Sequence, residues 1–494
     1  HGGRLDAFSL GALVYYIADG TNYVPAFDWL WSVYLPSGYV PLPGAGDMVA
    51  FMINNAYADT DHGQLCASAV AGQGVINGGA PDWKPAGVGG MVQGGGKDAK
   101  LIAVGDFYMG GYLTDYYLFV THGYDGISNT GDEADIVSMS YGSSATDNDG
   151  WDFESRYLTY LNKKYAPHTA FVASTGNGAP GYGTISEPQP VTGISVGAST
   201  QYGSCGTFDS ITSTAQMNWG DVQSWSNSGP SALGSVGTSV TADGAWGAGD
   251  LALNEWGDGS DAWDSWGGTS RSTPIAAGNL ALIYDAYKQA NGAFPTYDVA
   301  RQLLMSGASD QHYDPFRQGA GMVNADRATD VAAGLYGVYA SPDTWSAGDY
   351  RGTKYEGFSS IMHPGDSASQ VFTVHNPSTS TITVTLSSSH LVQLGTPVEW
   401  TFPSKNQADE DGSFTKPDYL FDITDYVTST GAYKDADLMV VKVVRSYREF
   451  SGSDPTSSNL AYDSIWRVMP YDWKDINGDG NLWTDTNGNG IVNT

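Results

Sequence analysis

The stretch GGTSRSTPIAAG, Gly267 to Gly278, decides how this chain is read. Its paired glycines permit a tight turn and let another backbone approach closely. Thr269 and Ser270 follow at a helix start, where unpaired N–H groups and partial positive charge favour a developing anion. Pro274 is expected in the first turn, where its missing N–H breaks no helical bond. Ile275, Ala276, Ala277 and Gly278 then continue a helix slim enough to be buried. Ser270 thus sits where the glycine turn meets the helix, a place that an ordinary serine-capped core helix also provides.

Outward from that segment, the 494 residues hold 22 Lys and Arg against 53 Asp and Glu, a formal charge of -31. Such a surface disfavours nucleic acid and anionic membranes as partners and favours cations, calcium or basic peptides. The 64 glycines and 13% aromatic residues, with only 15% charged, fit a globular chain rich in turns. No apolar run approaches the length of a membrane span. Cys66 and Cys205 are the only cysteines, compatible with one bridge or two free thiols.

From Leu10 to about Ala333, apolar runs alternate with small-residue or amphipathic helical stretches, the pattern of an α/β domain with a mostly parallel sheet and helices on both faces. LVYYIA (13–18), AKLIAVG (99–105), DIVSMS (135–140) and TAFVAST (169–175) read as buried strands, and Phe153 to Tyr165 reads as a helix. Residues 298–309 carry apolar positions at helical spacing. After Tyr339 the texture changes to alternating strands, QVFTVHN, TITVTLS and LMVVKVV, as in a β-sandwich. Three regions are expected: 1–338 α/β, 339–474 all-β, and an acidic tail at 475–494.

Two further segments accompany Ser270. DHGQLCASAVAG (61–72) places His62 at the start of a small-residue helix, where one ring nitrogen can face a serine while the other is held. The alternative pair, His122-Gly123, is followed by a loop-like acidic stretch. VASTGNGAPG (172–181) is a buried-looking strand ending in Gly176-Asn177-Gly178. The order His62, Asn177, Ser270, with the sequences around each residue, resembles the subtilisin-like serine proteases, over roughly residues 10–330.

The resemblance implies an α/β subtilisin-like domain in which His62 is the general base, Ser270 the nucleophile and Asn177 an oxyanion-hole donor. IVSMSYGSS (136–144) is similar to the family's substrate-binding strand. Ser140, Tyr141 and Gly142 are then expected to flank the substrate, with Ser174, Thr175 and Gly176 on the pocket floor and Gly105 to Met109 on the opposing edge. Cys66 matches a position where proteinase K-like members carry a cysteine. The acidic stretch with Asp258, Asp261 and Asp264 suits basic substrates, calcium or solvent.

The family pattern also expects a strand ending in Asp, then Thr or Ser, then Gly, to orient the base. No such tripeptide precedes His62; Asp19 continues as Asp-Gly-Thr, and Asp28 lies in AFDWLW. The triad acid is Asp19, Asp28 or a residue upstream, on a removed segment or a separate N-terminal chain. In the tail, Asp475, Asn477 and Asp479, then Asp485, Asn487 and Asn489, place oxygen ligands at alternate positions, each set followed by Gly, as calcium loops require.

These readings lead to an extracellular or cell-surface serine endopeptidase acting on polypeptides and holding structural calcium. The competing expectation is a catalytically silent surface or matrix scaffold on the same fold.

Overall fold

Residues 170–174 alternate Ala, Phe, Val, Ala and Ser, and all five are buried, which requires packing on both faces of the strand they form. The computed structural model of the protein describes residues 5–11, 15–18, 23–25, 48–50, 62–72, 93–105, 113–142, 150–178, 181–200, 220–223, 225–245, 247–250, 263–343, 349–350, 353–354, 363–388, 394–401, 423–427 and 430–434. The chain divides into two compact units, His1–Ile382 and Thr383–Thr494.

In the first unit the strands are β1 (Leu5–Gly11), β2 (Tyr15–Ala18), β3 (Tyr23–Pro25), β4 (Met48–Ala50), β5 (Leu101–Gly105), β6 (Ile136–Met139), β7 (Ala170–Ser174), β8 (Ile194–Ser199), β9 (Val240–Asp243), β10 (Gly247–Asp250), β11 (Trp263–Trp266), β12 (Tyr339–Ser341), β13 (Asp349–Tyr350), β14 (Thr353–Lys354) and β15 (Thr373–His375). The helices are α1 (His62–Ala71), α2 (Leu113–His122), α3 (Phe153–Lys164), α4 (Thr269–Asn291), α5 (Tyr297–Gly307), α6 (Pro315–Gln318) and α7 (Ala325–Ala332). Strands β6-β7-β8-β9 form a parallel sheet, with Ile136 opposite Ala170, Val172 opposite Ile194 and Val196 opposite Val240. β1 pairs in parallel with β5.

The strand period of two sorts side chains between two cores. Phe171 and Ala173 pack with Tyr117 and Val120 of α2 and with Leu158 and Leu161 of α3. Ala170 and Val172 join Leu280 and Ile283 of α4, Leu303 and Leu304 of α5, and Ala328 of α7. Helices on both faces therefore bear out the α/β expectation.

The segment around 13–18 differs from a parallel core strand. β2 pairs antiparallel with both β3 and β4, since the few residues between β2 and β3 suffice for a hairpin and not for a parallel crossover. The other three expected strands and the helices at 62–71, 153–164 and 297–307 form where the sequence placed them.

Beyond Tyr339, β12 pairs antiparallel with β15 and Tyr339 stacks on His375 at 4.6 Å, so the first unit continues past the expected boundary at 338. Arg301 of α5 adds a bidentate pair to Asp343, at 2.5 and 3.0 Å. In the second unit, residues 383–387 of TITVTLS carry no strand, and LMVVKVV lies outside the described residues. The described residues therefore do not display the β-sandwich.

Candidate active site

The 23-residue helix α4 begins at Thr269, behind Gly268 at φ 124°, a backbone conformation suited to glycine. Gly268 has no side chain to cap the helix, and Asn177 caps it from the turn after β7. Asn177 Oδ1 accepts from the Thr269 N–H at 2.8 Å and from the Thr269 hydroxyl at 2.9 Å. The Gly176 N–H in turn donates to Thr269 Oγ1 at 3.1 Å. The turn after β7 and the start of α4 are thus one hydrogen-bonded corner.

Pro274 lies inside the helix rather than in its first turn. It is the sixth residue, so its absent N–H deprives the Ser270 carbonyl of its i→i+4 partner. That carbonyl is satisfied from outside the helix: the Ser140 hydroxyl donates to it at 2.8 Å and the Cys66 thiol at 3.5 Å. Ser270 Oγ donates back to the Ser140 carbonyl at 3.3 Å. The proline that would weaken an ordinary helix here frees an acceptor that fixes Ser270 to β6 and α1.

His62 opens α1, and Cys66, one turn on, places its sulfur 3.9 Å from His62 Nδ1. Cys66 therefore touches both His62 and Ser270. Burial lowers the His62 pKa below the ordinary value by disfavouring the cation. Burial also pushes the Cys66 thiol up to about 11, so it is a neutral packing and donor group, not a thiolate. Trp266, at the end of β11, meets the His62 ring edge to face with centroids 5.9 Å apart.

Ser140, Tyr141 and Gly142 continue β6 beside Ser270, and Ser174, Thr175 and Gly176 continue β7 beside Asn177. Residues 140–142, 174–176, Asn177 and Ser270 thus meet at the C-terminal ends of β6 and β7, where ligands bind in open α/β sheets, and His62 is joined to them through Cys66. His122 ends α2, and its Nδ1 lies 3.1 Å from the Leu118 carbonyl and 3.0 Å from the Thr121 hydroxyl of its own helix. Asp19, Asp28, Cys205, Asp258 and Asp261 lie outside the described residues, as do most of Gly105 to Met109 and the tail ligands Asp475, Asn477, Asp479, Asp485, Asn487 and Asn489. Of Asp264 only the backbone, in β11, is described.

Sequence reasoning missed several residues. Arg271, directly after Ser270, is buried, and its guanidinium pairs with Asp243 at 2.5 Å and donates to the Ala245 carbonyl at 2.9 Å. A charged residue inside a run of small ones was the available signal, since such a group is buried only with a partner. Glu154, in the first turn of α3, accepts from the Tyr141 hydroxyl at 2.5 Å and also from Tyr117. Desolvation raises its pKa. This pair ties the expected substrate strand to α3.

Residues 50–321 match the family model of the subtilase family, peptidase S8, and the chain belongs to that family. It is 27% identical over 201 residues to tripeptidyl-peptidase 2 of Drosophila melanogaster, covering 40% of this chain and 13% of that one. It is 29% identical over 224 residues to pyrolysin of Pyrococcus furiosus, covering 42% and 16%. The match thus spans less than a fifth of either relative. Among solved structures, the patellamide maturation protease PatA aligns over 56% of this chain and 85% of its own at 20% identity and a TM-score of 0.38. The prenylagaramide maturation protease PagA aligns over 55% and 83% at 21% identity and the same TM-score, 0.38.

Proposed function

We propose that this chain is a serine endopeptidase that hydrolyses polypeptides through an acyl-enzyme on Ser270. The Ser270 hydroxyl rotates off the Ser140 carbonyl, His62 takes its proton, and the oxygen attacks a peptide carbonyl. Asn177 Nδ2 and the Ser270 N–H stabilise the oxyanion. His62 then protonates the leaving amine, and water hydrolyses the ester. The observation that carries this reading is the corner joining Asn177, Thr269, Ser270 and Ser140.

A fluorophosphonate probe tests it: covalent labelling of the intact protein that disappears in Ser270→Ala is the expected result. An unlabelled wild-type chain would instead favour the silent scaffold.

The remaining roles belong to the same proposal. The acid orienting His62 is Asp19, Asp28 or a residue of a segment N-terminal to them, joined to this chain or held as a separate one. Asp19→Asn and Asp28→Asn decide among these, and activity retained in both points to the N-terminal segment. A loss on the order of 10,000-fold in either would assign the acid to that residue. The tail binds calcium through Asp475, Asn477, Asp479, Asp485, Asn487 and Asn489, the segment after 339 is a β-sandwich that supports stability or attachment, and the protein works outside the cell.

A further inference from the structure

We propose that Trp266 is a positioning residue, which sets the plane of the His62 ring and so holds the base in line with Ser270. The proposal rests on the peptidase reading above, because only in a base does ring orientation govern turnover.

An imidazole ring turns about a single broad, two-fold torsion, so its plane is set by whatever packs on it. Among the described residues, two side chains are in hydrogen-bonding or ring contact with it. The Cys66 sulfur lies 3.9 Å from Nδ1, a weak partner that fixes little. The Trp266 indole lies at 80° to the imidazole with ring centroids 5.9 Å apart, an edge-to-face contact that resists rotation of either ring. Trp266 is only 6% exposed, so its contact is with His62 and not with a passing substrate.

The indole is itself held. Trp266 closes β11 opposite Gly247 of β10. A Cβ at Gly249 would lie 2.7 Å from Trp266 Nε1 and 2.6 Å from Leu65 Cδ2, so the bare Gly249 backbone touches both the indole and α1. His62 and Leu65, three residues apart on one face of α1, therefore both meet this hairpin. The feet of the hairpin are tied to residues on either side of Ser270. The Gly268 N–H donates to the Gly244 carbonyl at 2.8 Å, and the Arg271 guanidinium, paired with Asp243, lies against Gly247 where a Cβ would strike it. One hairpin thus joins the start of α4 to the start of α1.

The indole N–H indicates that ring packing decides where this side chain sits. It is buried without a hydrogen-bond partner among the described residues, whereas a buried tryptophan ordinarily finds one. A leucine would fill the space without leaving a donor unpaired. Tryptophan in its place is accounted for by the wide ring that reaches His62.

The test compares, in the full chain, Trp266→Leu, which keeps apolar bulk and loses the ring, with Trp266→Phe, which keeps a ring. We expect kcat on a peptide substrate to fall about tenfold or more in Trp266→Leu with KM nearly unchanged, because displacing a reacting group by about 1 Å costs on the order of 100-fold. Trp266→Phe should retain most of kcat. Carbethoxylation of His62 by diethyl pyrocarbonate, read by peptide mass, should quicken in Trp266→Leu and not in Trp266→Phe. Circular dichroism checks each fold, and Trp266→Met replaces the leucine variant if that one unfolds. Equal kcat in the wild type and both variants overturns the proposal. So does a loss in Trp266→Leu that leaves His62 carbethoxylation unchanged, the mark of a merely structural role. A wild-type chain that neither cleaves peptides nor takes the fluorophosphonate overturns the peptidase reading and this role with it, even where carbethoxylation shows that Trp266 holds the ring.

Discussion

Asn177 and Thr269 form a two-point contact in which one side-chain oxygen accepts both the backbone N–H and the hydroxyl of the residue before Ser270. A backbone N–H can only donate, so the contact fixes which end of the Asn177 amide faces the helix. Nδ2 must then point outward, and a Cβ at Gly268 would come within 3.3 Å of it. Asn177→Ala is expected to lower kcat by about 100- to 1,000-fold with little change in KM, a magnitude carried over from subtilisin. Thr269→Val, which keeps the N–H and removes the hydroxyl, should lower kcat less. An unaltered kcat in Asn177→Ala would remove it from the oxyanion site.

The Ser140 hydroxyl stands in for the helical N–H that Pro274 lacks. Ser140→Ala leaves the Ser270 carbonyl to the weak Cys66 donor, and a stability loss of about 1–3 kcal/mol is expected by chemical denaturation. The converse change, Pro274→Ala, returns the N–H and should leave the melting temperature undiminished while reducing kcat, because the carbonyl then turns back into its helix.

Burial alone lowers the His62 pKa among the described groups, and this has opposite consequences for activity and stability. Neutral His62 persists below the ordinary value of 6.5, so if it is the proposed base the acid limb of kcat/KM should fall below pH 6.5. Below that pH the unfolded chain takes up a proton that the folded chain resists. Stability therefore declines as pH falls through 6.5 and stops declining at the folded pKa. An acid limb above 6.5 would show that an anion paired with His62 outweighs burial.

Arg271 and Asp243 are both buried, with side-chain exposures of 11% and 8%. Removing one partner of such a pair costs about 3–5 kcal/mol, because the other charge is left without compensation. Arg271→Ala should show that loss by denaturant titration, whereas Arg271→Met with Asp243→Leu should recover much of it. A loss below about 0.5 kcal/mol in Arg271→Ala would mean that water reaches Asp243.

Excess chelator should lower the melting temperature of the full chain if the tail binds calcium as proposed, and an unchanged melting temperature would remove the structural ion.

What the sequence made legible was periodic or local. The buried run at 170–174 and the small-residue helix after Ser270 declare themselves by pattern, and the order of His62, Asn177 and Ser270 singled out residues that the fold brings to one corner. What it hid depends on distant pairing. Nothing near Arg271 points to Asp243, because that contact exists only once the strands are stacked. Pro274 misled for a related reason: the penalty for an interior proline assumes an unsatisfied carbonyl, and Ser140 satisfies it from 130 residues away. The hairpin of β2 reads like a core strand because hydropathy does not encode strand direction.

The Ser140 hydroxyl bond to the Ser270 carbonyl ties the end of β6 to the start of α4 and is kept when the Ser270 hydroxyl turns away. Under the peptidase reading, an edge held in this way suits an extended segment that has been released from its own fold. Digestion of a compact protein would then be governed by how often the victim opens, and resistance to this peptidase would be a readout of a target's local stability.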